Sequence, residues 1–142
     1  GLLVGACITM EPERFRSAVA EVPFVDVTTT MSDPTLPLTV TEWEEWGDPR
    51  AEPFASYIAS YAPYDNTVAN DYPALFITAG LNDPRVSYHE PAKWIAKLRD
   101  VRTNDRPLLM RTEMGAGHAG PSGRYDAWRD EARVLTFLLG TL

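Results

Sequence analysis

The run ALFITAG at residues 74–80 restricts what this chain can fold into more than any other stretch. It is nearly all apolar, short, bounded by Pro73 and closed by Gly80, the pattern of a strand buried on both faces of a parallel sheet. SAVAEV (17–22) and PLLMRTEM (107–114) also have strand character. Between the second and third runs lies SYHEPAKWIAKLRDVR, where Trp94, Ile95, Leu98 and Val101 share one helical stripe. Ser87 and Glu90 stand there at capping-box spacing, so residues 74–114 read as a strand–helix–strand unit. Further on, RYDAWRDEARVLTFLLGTL sets Tyr125, Trp128, Ala132, Leu135 and Leu139 at alternating steps of three and four. That spacing predicts an amphipathic closing helix docked on the sheet.

Residues 26–73 are different, because Pro34, Pro37, Pro49, Pro53, Pro63 and Pro73 break them into loops and short helices. PFASYIASYAPYDN predicts one or two short helices stopped before Pro63. There are no internal repeats. Strand, long excursion, strand, helix, strand, helix is an α/β order with too few strands for a complete doubly wound sheet.

Composition excludes several classes of function. With 44% apolar residues the chain can bury a core as a single domain. Thirteen basic against twenty acidic side chains leave a net charge of −7, with no Lys/Arg patch, which opposes a nucleic-acid partner. The single cysteine, Cys7, forms no internal disulfide and reads as a small buried hydrophobe; with two dispersed histidines it makes no structural zinc set. We therefore expect no metal, no cofactor and a reducing, cytoplasmic setting. No apolar run approaches the ~20 residues that span a bilayer, so no membrane association is expected. GLLVGACITM (1–10) lacks a basic start and a cleavage site and reads as the inside of a helix, as though the chain began within a larger protein.

Chemistry in such sheets gathers at the carboxyl ends of the strands. Asp83 follows the second strand in GLNDPRV, and His118 follows the third in GAGHAG, among residues small enough to leave an imidazole uncovered. An acid after one strand and a histidine after the next match the last two-thirds of the Ser–Asp–His order of α/β-hydrolases. No G-x-S-x-G precedes them. GPSGR (120–124) comes after His118 and has the wrong last residue, so it reads as a turn into the closing helix. A nucleophile elbow feeds directly into a buried helix, and GLLVGACITM fits one, which puts the expected nucleophile a few residues ahead of Gly1.

Glu42 and Glu44 in TEWEEWGDP share a side if that segment is extended, whereas on a helix they diverge by about 200°. Gly47 and Pro49 favour the extended form. Two carboxylates on one pocket would attract a guanidinium or ammonium, with Phe24 and Trp46 flanking its aliphatic stem. On composition alone, a solvated acidic loop and two core aromatics fit the same residues. His89 reads as a surface residue, and Lys93 and Lys97 as a solvated helix face.

The segments GLLVGA, VPFVDV, EWEEWGDP, YAPYDN, GLNDPRV, EPAKWIAKLR and GHAGPSGR, in this order and spacing, resemble the catalytic-domain end of the oligopeptidase B group in the prolyl oligopeptidase family. The resemblance runs over essentially all of residues 1–142. It implies the C-terminal part of an α/β-hydrolase catalytic domain, with a serine three residues ahead of Gly1 and an N-terminal β-propeller that admits only short peptides. It makes His118 the general base, Asp83 its carboxylate partner and Arg85 the group that holds the substrate backbone. Glu42 stands where proline-cleaving relatives carry a tryptophan, which implies cleavage after Arg or Lys. The partners implied are a short basic peptide and the rest of the same enzyme. Two alternatives remain: a prolyl oligopeptidase or dipeptidyl-peptidase type of specificity, and a non-catalytic α/β fragment or one chain of a nicked enzyme.

Overall fold

The computed structural model describes residues 1–142. Three parallel strands, β1 (Ser17–Glu21), β2 (Ala74–Gly80) and β3 (Leu108–Glu113), lie side by side in chain order. Val19 is level with Phe76, and Phe76 with Leu109. Because all three strands run the same way, the loops that leave them emerge along one edge of the sheet.

Only β2 meets the expectation of burial on both faces; β3 is an edge strand, with Leu109 48% exposed. Residues alternate across a strand, so Leu75 and Ile77 face one side and Phe76 and Thr78 the other. On the first side they join Ala18, Ala20 and Leu108 beneath Ile8 of helix α1 (Leu2–Met10) and Trp94, Ile95 and Leu98 of helix α5 (His89–Val101). Burying each of Leu75, Ile77 and Leu98 stabilises this core by roughly 1.5–3 kcal/mol. The indole N–H of Trp94 is not left unpaired, since it donates to the Thr67 hydroxyl (2.9 Å), which donates to the Pro63 carbonyl (2.7 Å). α1 is only half covered: Gly5, Ile8 and Thr9 are buried, Cys7 is partly so, and Leu3 is exposed.

The closing helix α6 (Arg124–Thr141) lies over the second side of the sheet. The stripe expected to dock does not do so. Tyr125, Trp128, Leu135 and Leu139 stay exposed, and the helix buries no residue fully. Contact with the sheet comes instead from the adjacent face, where Phe137 meets Phe76 at 5.6 Å between ring centroids, and from Arg111, which pairs with Asp130 at 3.2 Å. A 3.6-residue pattern identifies an apolar face, but these three strands do not cover all of it.

The long excursion holds helices α2 (Val27–Ser32), α3 (Thr39–Trp46) and α4 (Phe54–Tyr61), gathered on a small core of Val27, Met31, Ile58 and Ala62. It leaves β1 through Val22, a β-branched residue at φ +40°, a conformation that costs about 1–3 kcal/mol and persists only when neighbours hold it.

Candidate active site

The loops after β2 and β3 lie directly against each other. Leu81 N–H donates to the Glu113 carbonyl (2.9 Å), and Asn82 N–H to that of Ala116 (3.2 Å). A Cβ on Gly80 would stand 2.6 Å from the Gly117 carbonyl oxygen, so only glycine permits this approach. Within GAGHAG, a Cβ on Gly117 would stand 3.1 Å from the Asn82 carbonyl oxygen, so this glycine does more than uncover the imidazole and lets the acid-bearing loop come close.

His118 Nδ1 and Asp83 Oδ2 are 2.7 Å apart. The Asp83 side chain has no exposure, while that of His118 keeps 36%. The other carboxylate oxygen, Oδ1, accepts from the amides of Arg85 (2.8 Å) and Val86 (3.0 Å). Asp83 thus forms the turn with one oxygen and holds the imidazole with the other. Burial pushes the Asp83 carboxyl pKa up, but the Val86 and Arg85 amides and the His118 ring outweigh it, so the pKa lies below the ordinary carboxylate value. An ionised carboxylate only accepts, so Nδ1 is the donor, and the neutral ring held this way presents its lone pair on Nε2.

Beside this pair opens a cavity of about 500 Å³ whose wall includes Phe24, Glu42, Trp46, Asp83, Arg85 and His118. Six of the seven residues nominated from the sequence therefore meet at one place. The expected extended geometry of 42–46 is overturned, because these residues lie on α3, where a local i→i+4 ladder forms ahead of Gly47. Glu42 and Glu44 diverge as helix geometry requires, and Glu44 is exposed outside the cavity wall. Glu42 is oriented within the helix: its Oε2 accepts from Trp46 Nε1 (2.8 Å), and the Trp46 ring meets Phe24 edge-on at 5.7 Å. Arg85 is exposed and forms no ion pair, which leaves its guanidinium free to face the cavity.

Other expectations are corrected. Lys93 and Lys97 are not merely a solvated face. Lys93 pairs with the buried Asp26, Lys97 donates to the Tyr64 carbonyl (2.7 Å), and both ammonium groups stand over the Tyr64 ring. The capping box does not form either, since the Ser87 hydroxyl meets His89 Nδ1 (2.7 Å) and Glu90 turns inward to the cavity wall. Burial raises the Glu90 carboxyl pKa, opposed by hydrogen bonds from Thr30, Asp26 and Val25 and reinforced by the Asp26 charge. Sequence reasoning missed Glu90 as a wall residue, although its spacing ahead of Trp94 and Leu98 on the apolar stripe was a usable signal. Ser122 is exposed in the bend leading to α6, as expected of a turn. No group of three or more His, Cys, Asp or Glu is placed to hold a metal ion, and no helix is long and apolar enough to cross a membrane.

A parallel α/β sheet that delivers a paired Asp and His from neighbouring strand ends is the C-terminal architecture of a hydrolase domain. The chain belongs to the prolyl oligopeptidase family, whose model matches residues 1–142. It is 54% identical over its whole length to Protease 2 of Moraxella lacunata and 49% identical to dipeptidyl aminopeptidase BI of Pseudoxanthomonas mexicana, covering 21% and 20% of those proteins. The structure of oligopeptidase B from Trypanosoma brucei with covalently bound antipain superposes on 99% of the chain with a TM-score of 0.96 and 51% identity. Only 20% of that protein is matched, so the chain spans about a fifth of the length of these relatives.

Proposed function

We propose that this chain is the Asp- and His-bearing part of a serine peptidase that cleaves short peptides on the carboxyl side of Arg or Lys. The observation that carries the reading is the Asp83–His118 contact of 2.7 Å at the rim of a cavity that also holds Glu42. In the whole enzyme a serine, three residues ahead of Gly1 by the family pattern, attacks the scissile carbonyl while His118 Nε2 takes its proton. Asp83 holds the tautomer and stabilises the imidazolium, which then protonates the leaving amine. Water, activated by the same nitrogen, releases the acyl group and restores the serine. The oxyanion donors and a β-propeller that screens substrates by size belong to other parts of the polypeptide.

Glu42 is the proposed partner of the substrate cation, with the Phe24–Trp46 pair flanking its alkyl stem and Arg85 holding a substrate carbonyl. A second reading, cleavage after proline, draws on the same aromatic pair, which would also suit a pyrrolidine ring. The two readings separate in the full-length enzyme by kcat/KM on chromogenic peptides blocked after Arg and after Pro. The Arg peptide is expected to be preferred, Glu42→Gln to cost about a hundredfold on it, and Asp83→Asn to lower kcat on the order of 10⁴-fold. A preference for the Pro peptide overturns the basic specificity, and an Asp83→Asn enzyme of undiminished kcat overturns the triad.

A further inference from the structure

Glu90 sits in the first turn of α5, one turn ahead of Trp94, and is only 4% exposed. Its Oε2 accepts from the amides of Val25 (2.9 Å) and Asp26 (3.0 Å), and its Oε1 from the Thr30 hydroxyl (2.7 Å). These donors lie on the segment that leaves β1 through the strained Val22 and supplies Phe24 and Thr30 to the cavity wall. On its other side, Glu90 follows directly on the loop that carries Asp83 and Arg85. One buried side chain therefore ties together two walls of the cavity that are about sixty residues apart in sequence. The tie is doubled nearby, where Lys93 of α5 pairs with Asp26.

An exposed acid would serve the α5 dipole without the cost of burying a carboxylate. Three convergent donors, two amides ahead of α2 and one hydroxyl on it, give that burial a different reason. We propose that Glu90 is a positioning residue: it fixes the distance between the Asp83–His118 loops and the Phe24–Glu42 wall, so that a bound basic side chain and the scissile bond are seated together. The inference rests on the peptidase reading above. Glu90 touches no reacting atom, so its loss should act on substrates that fill the cavity and spare those that do not.

The test uses the full-length enzyme with an Arg-blocked chromogenic peptide and with p-nitrophenyl acetate, an ester too small to occupy the cavity wall. Glu90→Ala is expected to lower kcat/KM for the Arg peptide about tenfold, mainly through KM, with ester turnover unchanged. Glu90→Gln keeps an oxygen for the two amides and offers an N–H to the Thr30 oxygen, so it should recover most of that loss. Thr30→Val, which removes one of the three bonds, should lose about threefold. If Glu90→Ala fails to fold, the other two variants decide. Equal losses on both substrates mean a merely structural role and overturn the inference, as does wild-type behaviour in every variant. A wild-type enzyme inactive on the Arg peptide but active on the ester sinks the basic specificity first, and this inference with it.

Discussion

Helices α5 and α6 pack on opposite sides of the same three strands, and both carry an apolar stripe, yet they end in different states. α5 buries Trp94, Ile95 and Leu98 completely or nearly so, whereas α6 leaves Trp128 60% and Leu139 73% exposed. The difference lies in what each helix meets. α5 covers the side of the sheet where Ala18, Ala20, Leu75, Ile77 and Leu108 form a continuous floor with α1 alongside. α6 meets a side where Thr78 and Arg111 interrupt the apolar surface and Phe76 offers the main ring contact. Two helices with similar periodicity thus contribute unequally, because burial is a property of a pair of surfaces.

The largest expected effect that could break this comparison is Trp94→Ala, a loss of about 3–5 kcal/mol read as a fall in the urea midpoint. Thr67→Val, which strands the Trp94 indole N–H in the same core, should cost about 1–3 kcal/mol by the same measurement. At the loop leading into α5, the lowered pKa of Asp83 means that its ionised form favours the folded state. That contribution is present above the ordinary carboxylate pKa and is lost as pH falls through the lowered value. The difference in urea midpoint between the wild type and Asp83→Asn should therefore shrink on acidification below the usual carboxylate range. Smallest of all, Trp128→Ala on α6 should stay within about 0.5 kcal/mol. A Trp128 loss equal to that of Trp94 would show that the two sides are equivalent after all.

Much of the frame was legible in the residues. The ALFITAG and PLLMRTEM runs locate β2 and β3 to within a residue, and the order of Asp83 and His118 behind them already suggested a paired acid and base. Those signals are local, since strand and helix periods follow from backbone geometry within a few residues. The errors share one cause. In TEWEEWGDP the Gly and Pro point to an extended segment, yet its helix is completed against the core around Met31 and Ile58, so Glu42 and Glu44 part company. The spacing of Glu90 to Ser87 suggests a local cap, but the amides of Val25 and Asp26 and the Thr30 hydroxyl on α2 outweigh it.

By itself, the sequence determined the three strands, the helices before β1, between β2 and β3 and after His118, and the chain order of the acid and the imidazole, because each depends on neighbours a few bonds away. Tertiary structure alone decided that Asp83 reaches His118, that Glu42 stands in the cavity wall without Glu44, and that Glu90 bridges two walls. These outcomes depend on which surfaces meet across long loops, and a hydrogen bond or a buried ring is won by whichever partner the packed chain brings within reach.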